Sequence, residues 1–345
     1  MKLLRKILYP FSLIYGSITA IRNYLYNNNH MQSTKFKTPI IVVGNLSVGG
    51  TGKTPQIEYL IRLLKDNFKV AVLSRGYKRK SKGFVLANET VNAETIGDEP
   101  FQYYKKFETI KVGVDANRVN GINQLKQLQS SPEVILLDDA YQHRKVDAGF
   151  NILLTSYNNL YVDDAMLPTG NLRENISGAE RAKVIIVTKC PQDLDEETQF
   201  KIAQKLKPTL YQTVFFTTID YAQSVKGNKE IKIDDLKNYE VLLVTGIANP
   251  VPLTNFLNSK GIIYSHLEYP DHYFFSEKDI ADIKNKFNKL NSKNKIILTT
   301  EKDYMRTFDK FDYLHYLPIK TKFINHKTDF DNLINTYVEQ SSRNS

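Results

Sequence analysis

From Pro39 onward, short apolar runs alternate with stretches of helical periodicity, which predicts an α/β fold with a mainly parallel sheet and helices on both faces. Strands are predicted at residues 40–43, 70–73, 110–114, 134–137, 152–154 and 184–187, with helices between some of them, such as 56–65 and 116–128. The pattern then shifts. Residues 210–219 read as an extended strand and 221–235 as a polar loop, and a second α/β run follows: strands at 241–245, 262–266 and 295–299, helices at 251–259 and 277–290. These readings divide the chain into an N-terminal helix (1–30), a first α/β domain of the P-loop type (31–215) and a smaller α/β domain (216–345), with a polar, frayed end at 339–345.

Ahead of the first strand, residues 3–25 carry apolar side chains at helical spacing. Leu3, Leu4, Ile7, Leu8, Phe11, Ile14, Tyr15, Ile18, Ile21 and Leu25 share one broad face, and Lys2, Arg5 and Lys6 lie on the other; Arg22 breaks the pattern. The charge-free stretch from Ile7 to Ile21 is shorter than the ~20 apolar residues of a spanning helix and contains Pro10 and Gly16. No A-x-A-like cleavage site follows it. An interfacial helix on an anionic membrane surface explains this composition better than a helix packed on its own domain.

Charge supports that reading. The net charge is +10, and no acidic residue precedes Glu58, so the basic excess sits at the start of the chain and implies an anionic partner. Nucleic acid is not expected, because the chain has no zinc-finger spacing, RNA-recognition signature or basic heptad region. A single cysteine, Cys190, excludes an internal disulfide framework.

The chemistry begins where the first strand runs into Ser47-Val48-Gly49-Gly50-Thr51-Gly52-Lys53-Thr54, followed at once by an amphipathic helix. Strand, glycine-rich loop and helix in this order form a P-loop: backbone N–H groups and the helix N-terminus cradle phosphates, Lys53 reaches the terminal phosphates, and Thr54 offers a hydroxyl to Mg²⁺. Ser47 occupies a position where the strict pattern has glycine. A second apolar strand ends in Asp138-Asp139, the form of a Walker B segment that holds or orients Mg²⁺, and Gln142, His143 and Arg144 follow at the ligand-binding edge of the sheet. Thr188-Lys189-Cys190-Pro191 has Pro where a guanine-reading motif needs Asp, so ATP is the expected nucleotide. A metallochaperone or regulatory ATPase or GTPase is the competing class; it would call for clustered Cys or His ligands, and none occur at ligand spacing.

Together these motifs resemble the tetraacyldisaccharide 4'-kinases. The resemblance runs through Val43 to Pro55, Ser74-Arg75-Gly76-Tyr77, Gly97-Asp98-Glu99-Pro100, Leu137 to Arg144, Leu167-Pro168 with Gly170 and Leu172-Arg173-Glu174, Thr245 to Pro250, Pro270-Asp271-His272 and Thr300-Glu301-Lys302-Asp303. Ala140-Tyr141 stands where the family usually has Gly-Phe. The resemblance implies transfer of the ATP γ-phosphate to the 4'-hydroxyl of an acylated glucosamine disaccharide 1-phosphate, giving lipid IVA at the cytoplasmic face of the bacterial inner membrane. It also implies Asp98 as the catalytic carboxylate with His272 as its partner across the interdomain cleft, and Tyr77, Arg118, Gln142, His143, Asn171 and Arg173 as residues facing the substrate. Taken alone, Asp98 reads as a helix N-cap and His272 as a structural histidine. For Mg²⁺ the set is Thr54, one or both of Asp138 and Asp139, and Glu174 as a further ligand; otherwise Glu174 is an exposed carboxylate paired with Arg173.

Overall fold

The computed structural model describes Arg5 and residues 7–271, 273–307 and 313–343. The chain forms two compact units, Met1–Ile219 with Thr321–Ser345, and Asp220–Lys320.

In the first unit, β1 (Ile40–Asn45) is flanked by β4 (Val134–Asp138) and β5 (Phe150–Ser156). Beyond β4 lie β2 (Val70–Ser74), β3 (Lys111–Val114) and a short antiparallel edge at Val85–Leu86. Beyond β5 lie β6 (Val184–Thr188), β7 (Thr213–Tyr221) and, at the far edge, β12 (Ile319–Phe323). The pairs from β7 through β3 are all parallel.

Period-two alternation splits each strand between two cores. Ile40, Val42, Ile135, Leu137 and Leu153 point to one face, and Ile41, Val43, Val134, Leu136 and Ile152 to the other. The helix following β1, α2 (Lys53–Leu64), buries Ile57, Leu60, Ile61 and Leu64 in the second core. Cys190 is buried in the first, where desolvation pushes its thiol pKa up to about 12.

The sequence expectation of a second domain running from residue 216 to the C-terminus needs correction. The last helix, α4 (Lys327–Arg343), sends Phe330, Ile334 and Val338 into the same core as α2. Its Tyr337 hydroxyl donates to the Ile40 carbonyl at 3.1 Å, and Tyr59 of α2 donates to Asp331 at 2.6 Å. The chain therefore returns to the first unit, and the tail expected to fray from 339 is helical to Arg343; Asn344 and Ser345 lie outside the described residues.

The second unit has its own sheet, with β8 (Glu240–Thr245) between β9 (Tyr264–Glu268) and β10 (Lys295–Thr300), and β11 (Leu314–Leu317) beside β10, all parallel. Ser224–Gly227 and Ile231–Lys232 extend this sheet antiparallel, so part of the segment read as a polar loop is strand.

The first helix, α1 (Tyr9–Asn27), has an inverted arrangement. Ser12, Thr19, Asn23 and Tyr26 are the residues it buries, while Phe11, Leu13, Ile14, Ile18 and Ile21 point outward, each more than half exposed. The apolar stripe read from the sequence therefore exists and most of its described residues face outward, with Tyr15 and Leu25 half-buried. Leu3, Leu4, Lys2 and Lys6, also assigned to that helix, lie outside the described residues.

Candidate active site

β1 ends in Gly44-Asn45, and the loop leaves it toward α2. A Cβ on Gly44 would sit 2.6 Å from the Cβ of Tyr141, so only glycine lets this strand end pass beneath the turn after β4. Gly49 and Gly52 have φ of 111° and 85°, in the left-handed region, and Gly52 caps α2 there. Neighbouring elements pin the loop on both sides. Val48 N–H donates to the Asn171 carbonyl at 2.8 Å, and Arg173 N–H to the Leu46 carbonyl at 2.7 Å. Opposite, the Thr188 hydroxyl donates to the Thr51 carbonyl at 2.8 Å, and Lys189 Nζ to the Gly50 carbonyl at 2.5 Å. Thr188-Lys189, which begins like a broken guanine-reading motif, is thus a brace for the phosphate loop.

The β1–β4 register sets Val43 opposite Asp138, which puts both acids at the mouth of the loop. They differ sharply. Asp138 is buried, and desolvation, then Asp139 and Glu99, raise its pKa to about 7. One of its oxygens is 3.4 Å from Ser74 Oγ and 3.4 Å from the Tyr103 hydroxyl, and the other is buried without a protein partner. Thr54 also hydrogen-bonds Tyr103, so the two groups best suited to Mg²⁺ converge on one tyrosine. A desolvated carboxylate with an unused oxygen beside a threonine hydroxyl fits a hard cation that keeps several waters. Among the described residues no group of three or more His, Cys, Asp or Glu side chains is placed to hold a metal by itself.

Asp139 has a left-handed backbone (φ 47°) and accepts the two-pronged guanidinium of Arg173 at 2.7 and 3.2 Å. Lys53 Nζ lies 3.7 Å from the same carboxylate. Burial opposes its ionisation, but Lys53 and Arg173 outweigh that and hold its pKa below the ordinary value.

Asn45 was not singled out in the sequence. It is fully buried; its side-chain oxygen accepts from Lys53 at 3.4 Å and from Arg173, and its carbonyl accepts from Gln142 at 2.8 Å and Arg173 at 3.0 Å. The available signal was a polar residue ending an otherwise apolar strand immediately before a P-loop.

Glu174, expected as a metal ligand or as an exposed partner of Arg173, is neither. It is fully buried, and its oxygens are occupied by Arg181 (2.9 Å to each), Gln142 (2.8 Å) and Asn23 of α1 (2.9 Å). An acid already neutralised by a guanidinium and two amides offers little to a cation.

Arg118 is 2% exposed and lies against backbone: it donates to the Asp115 carbonyl at 2.8 Å and the Asp138 carbonyl at 3.5 Å, and its pKa falls to about 10 through desolvation. It supports the acid pair from beneath. Asn171 is engaged with Asp164 at 3.0 Å and receives Arg5 at 3.2 Å. The pKa of His143 drops to about 4, through burial and then Arg118, so it is neutral at physiological pH. Tyr77 is exposed. Asp98 opens α3 (Asp98–Lys106) after Gly97, whose φ is 96°. A Cβ there would approach Gly76 Cα to 3.2 Å, so two glycines let the Asp98 turn abut the Tyr77 loop. His272 lies outside the described residues.

A glycine loop between a central parallel strand and a helix, with a lysine and an acid pair at its mouth, defines a P-loop nucleotide-binding protein of the phosphotransferase kind. A family model described as tetraacyldisaccharide-1-P 4'-kinase matches residues 4–339. The chain is 55% identical to the tetraacyldisaccharide 4'-kinase of Flavobacterium johnsoniae over 99% of both chains. It is 44% identical to that of Bacteroides thetaiotaomicron, covering 99% of this chain and 95% of the relative. The crystal structure of LpxK from Aquifex aeolicus, described as an "apo" form in complex with ATP, aligns with a TM-score of 0.78 at 32% identity, over 97% of this chain and 99% of that one. The chain belongs to the tetraacyldisaccharide 4'-kinase family, kinases of lipid A biosynthesis.

Proposed function

We propose that the chain transfers the γ-phosphate of ATP to the 4'-hydroxyl of a tetraacylated glucosamine disaccharide 1-phosphate, forming lipid IVA. The observation that carries this reading is the constellation at the end of β1: Lys53, Asn45, Asp139 and Arg173 linked at the mouth of the loop, with Asp138 beside them. Phosphoryl transfer asks a protein mainly for positioning and charge compensation. The loop amides and the N-terminus of α2 hold the phosphates, and Lys53, already within reach of Asp139, swings onto the terminal ones. Mg²⁺, held by Thr54 and Asp138, would supply charge neutralisation between the phosphates; Asp139, fixed by Arg173, orients the groups around it.

Asp98, at a helix N-terminus, serves as the base that accepts the sugar hydroxyl proton, and His272 is assigned to the same chemical step. Neutral His143, Gln142 and Tyr77 are assigned to the acceptor side.

The acyl chains of the acceptor stay in a membrane, and the outward face of α1 suits the same location. Phe11, Ile14, Ile18 and Ile21 are unburied, which in water alone is unfavourable, and among the described residues no helix is long and apolar enough to cross a bilayer. α1 thus lies in the headgroup layer at the cytoplasmic face of the inner membrane, where ATP is available. The test is ADP release with ATP, Mg²⁺ and a detergent-dispersed acylated disaccharide 1-phosphate. Release that depends on the lipid supports the assignment; release indifferent to it opposes the assignment.

A further inference from the structure

Polar side chains of α1 hydrogen-bond the segment 165–174 at several points. The Ser12 hydroxyl donates to the Met166 carbonyl at 3.1 Å and bonds Thr169 at 2.7 Å, and the Tyr15 hydroxyl donates to the Arg173 carbonyl at 2.9 Å. Asn23 Nδ2 donates to buried Glu174 at 2.9 Å. Segment 165–174 is also the strap that pins the phosphate loop, through Asn171 to Val48 and Arg173 to Leu46. From Glu174 the connection continues through Gln142, which bonds Glu174 at 2.8 Å and the Asn45 carbonyl at 2.8 Å; Asn45 in turn receives Lys53 and Arg173.

We propose that Asn23 and Glu174 are positioning residues for the phosphate site: through Glu174, Gln142 and Asn45, the seating of the interfacial helix sets the geometry of Lys53 and Arg173. Three observations support it. Glu174 is a wholly buried carboxylate whose partners are Asn23 of α1, Gln142 after β4 and Arg181, so moving α1 removes one of its donors where it cannot turn to water. Among the described residues, α1 buries Ser12, Thr19, Asn23 and Tyr26, so three of its four buried positions are small polar side chains and directional bonds carry much of its seating. The apolar face looks the other way, so what surrounds it acts on the same helix that supplies Asn23. A helix serving solely as an anchor would not need a buried amide aimed at a carboxylate two bonds from the P-loop.

The inference rests on ATP being the nucleotide, and its test needs neither lipid nor turnover. Affinity for Mg·ATP is measured by fluorescent-nucleotide titration, without membranes, for the wild-type chain, Asn23→Ala, Asn23→Asp and Glu174→Gln, each shown by circular dichroism to be folded at the working temperature. Asn23→Ala and Glu174→Gln are expected to weaken binding roughly fivefold, the scale of one lost hydrogen bond, and Asn23→Asp, which sets two carboxylates together, by more. Combining Asn23→Asp with Glu174→Gln restores a donor facing an acceptor and recovers part of the loss, which a general loss of stability would not do. Wild-type affinity in the folded single variants overturns the proposal. Should Asn23→Ala not fold, Glu174→Gln with its partner-swapped double variant decides alone. No ATP binding by the wild-type chain would overturn both this inference and the proposed function, whereas equal binding by all variants overturns this inference only.

Discussion

Asp138 should destabilise the protein whenever it is ionised without a cation beside it. Its pKa is raised from 3.8 to about 7 in the folded chain. Between those values the native state holds a proton that the unfolded state has lost, so this group's contribution to stability falls as pH climbs from about 4 to about 7 and stays unfavourable above. A shift of roughly three pH units at ~1.4 kcal/mol each sets an upper bound of about 4 kcal/mol. Asp138→Asn removes the charge and keeps the shape. In EDTA at pH 8 the variant should therefore unfold at a higher temperature than the wild type, by several degrees for a chain of this size. At pH 5 the folded carboxyl is largely protonated while the unfolded one is already ionised, so the gap should shrink to roughly half or less of its pH 8 value. Adding Mg·ATP at pH 8 should reverse the order, since the wild type alone gains a well-held ligand. Thermal unfolding followed by circular dichroism at the two pH values decides it. A variant no more stable than the wild type at pH 8, or a gap unchanged at pH 5, would refute the argument that Asp138 is a desolvated acid kept for a cation.

Three other outcomes are expected. Arg173→Ala unpins Asp139 and Asn45 together and should lower kcat/KM by roughly 30-fold or more, with Arg173→Lys failing to restore it because a single ammonium cannot span both oxygens; steady-state kinetics retaining near-normal values in the Lys variant would count against the fork. Asp98→Asn and His272→Ala should each cut kcat by about 10²-fold or more while ATP affinity stays within about twofold, since a base acts in the chemical step; near-normal turnover in folded variants would end the base assignment. Replacing Ile14 and Ile18 together by Glu should reduce co-sedimentation with anionic vesicles on the order of 10²-fold, from two lost apolar side chains on the outward face; unchanged sedimentation would remove α1 from the membrane surface.

Much of the fold was legible because its signals are local. The central strands β1, β2, β4 and β6 begin where their apolar runs begin and extend one or two residues past them, since a strand covered on both faces is apolar along most of its length. The phosphate loop was legible for the same reason: its glycines answer to backbone needs within eight residues. What sequence could not give is partnership at a distance. Periodicity placed an apolar stripe on α1 but could not say that Ser12, Thr19 and Asn23 would be the buried side. Nothing local in 327–343 says that Phe330 and Ile334 return to the core of α2. Glu174, beside Arg173 in the chain, looked available to a metal because its true partners, Asn23, Gln142 and Arg181, come from three other segments. Asn45, between Gly44 and Leu46, was hidden in plain sight at the end of the strand, and its importance rests on the side chains that reach it.

The phosphate that Lys53 and the loop would hold, with Asp138 serving the cation, is proposed to move to one sugar hydroxyl. The most direct measurement is structural analysis of the lipid product formed from ATP and tetraacyldisaccharide 1-phosphate by mass spectrometry and ³¹P–¹H correlation. The expected product carries a single added phosphate on the 4'-oxygen of the distal glucosamine, formed in equal amount to ADP and absent with Lys53→Ala. ADP accumulating without phosphorylated lipid, or phosphate at another position, would contradict it.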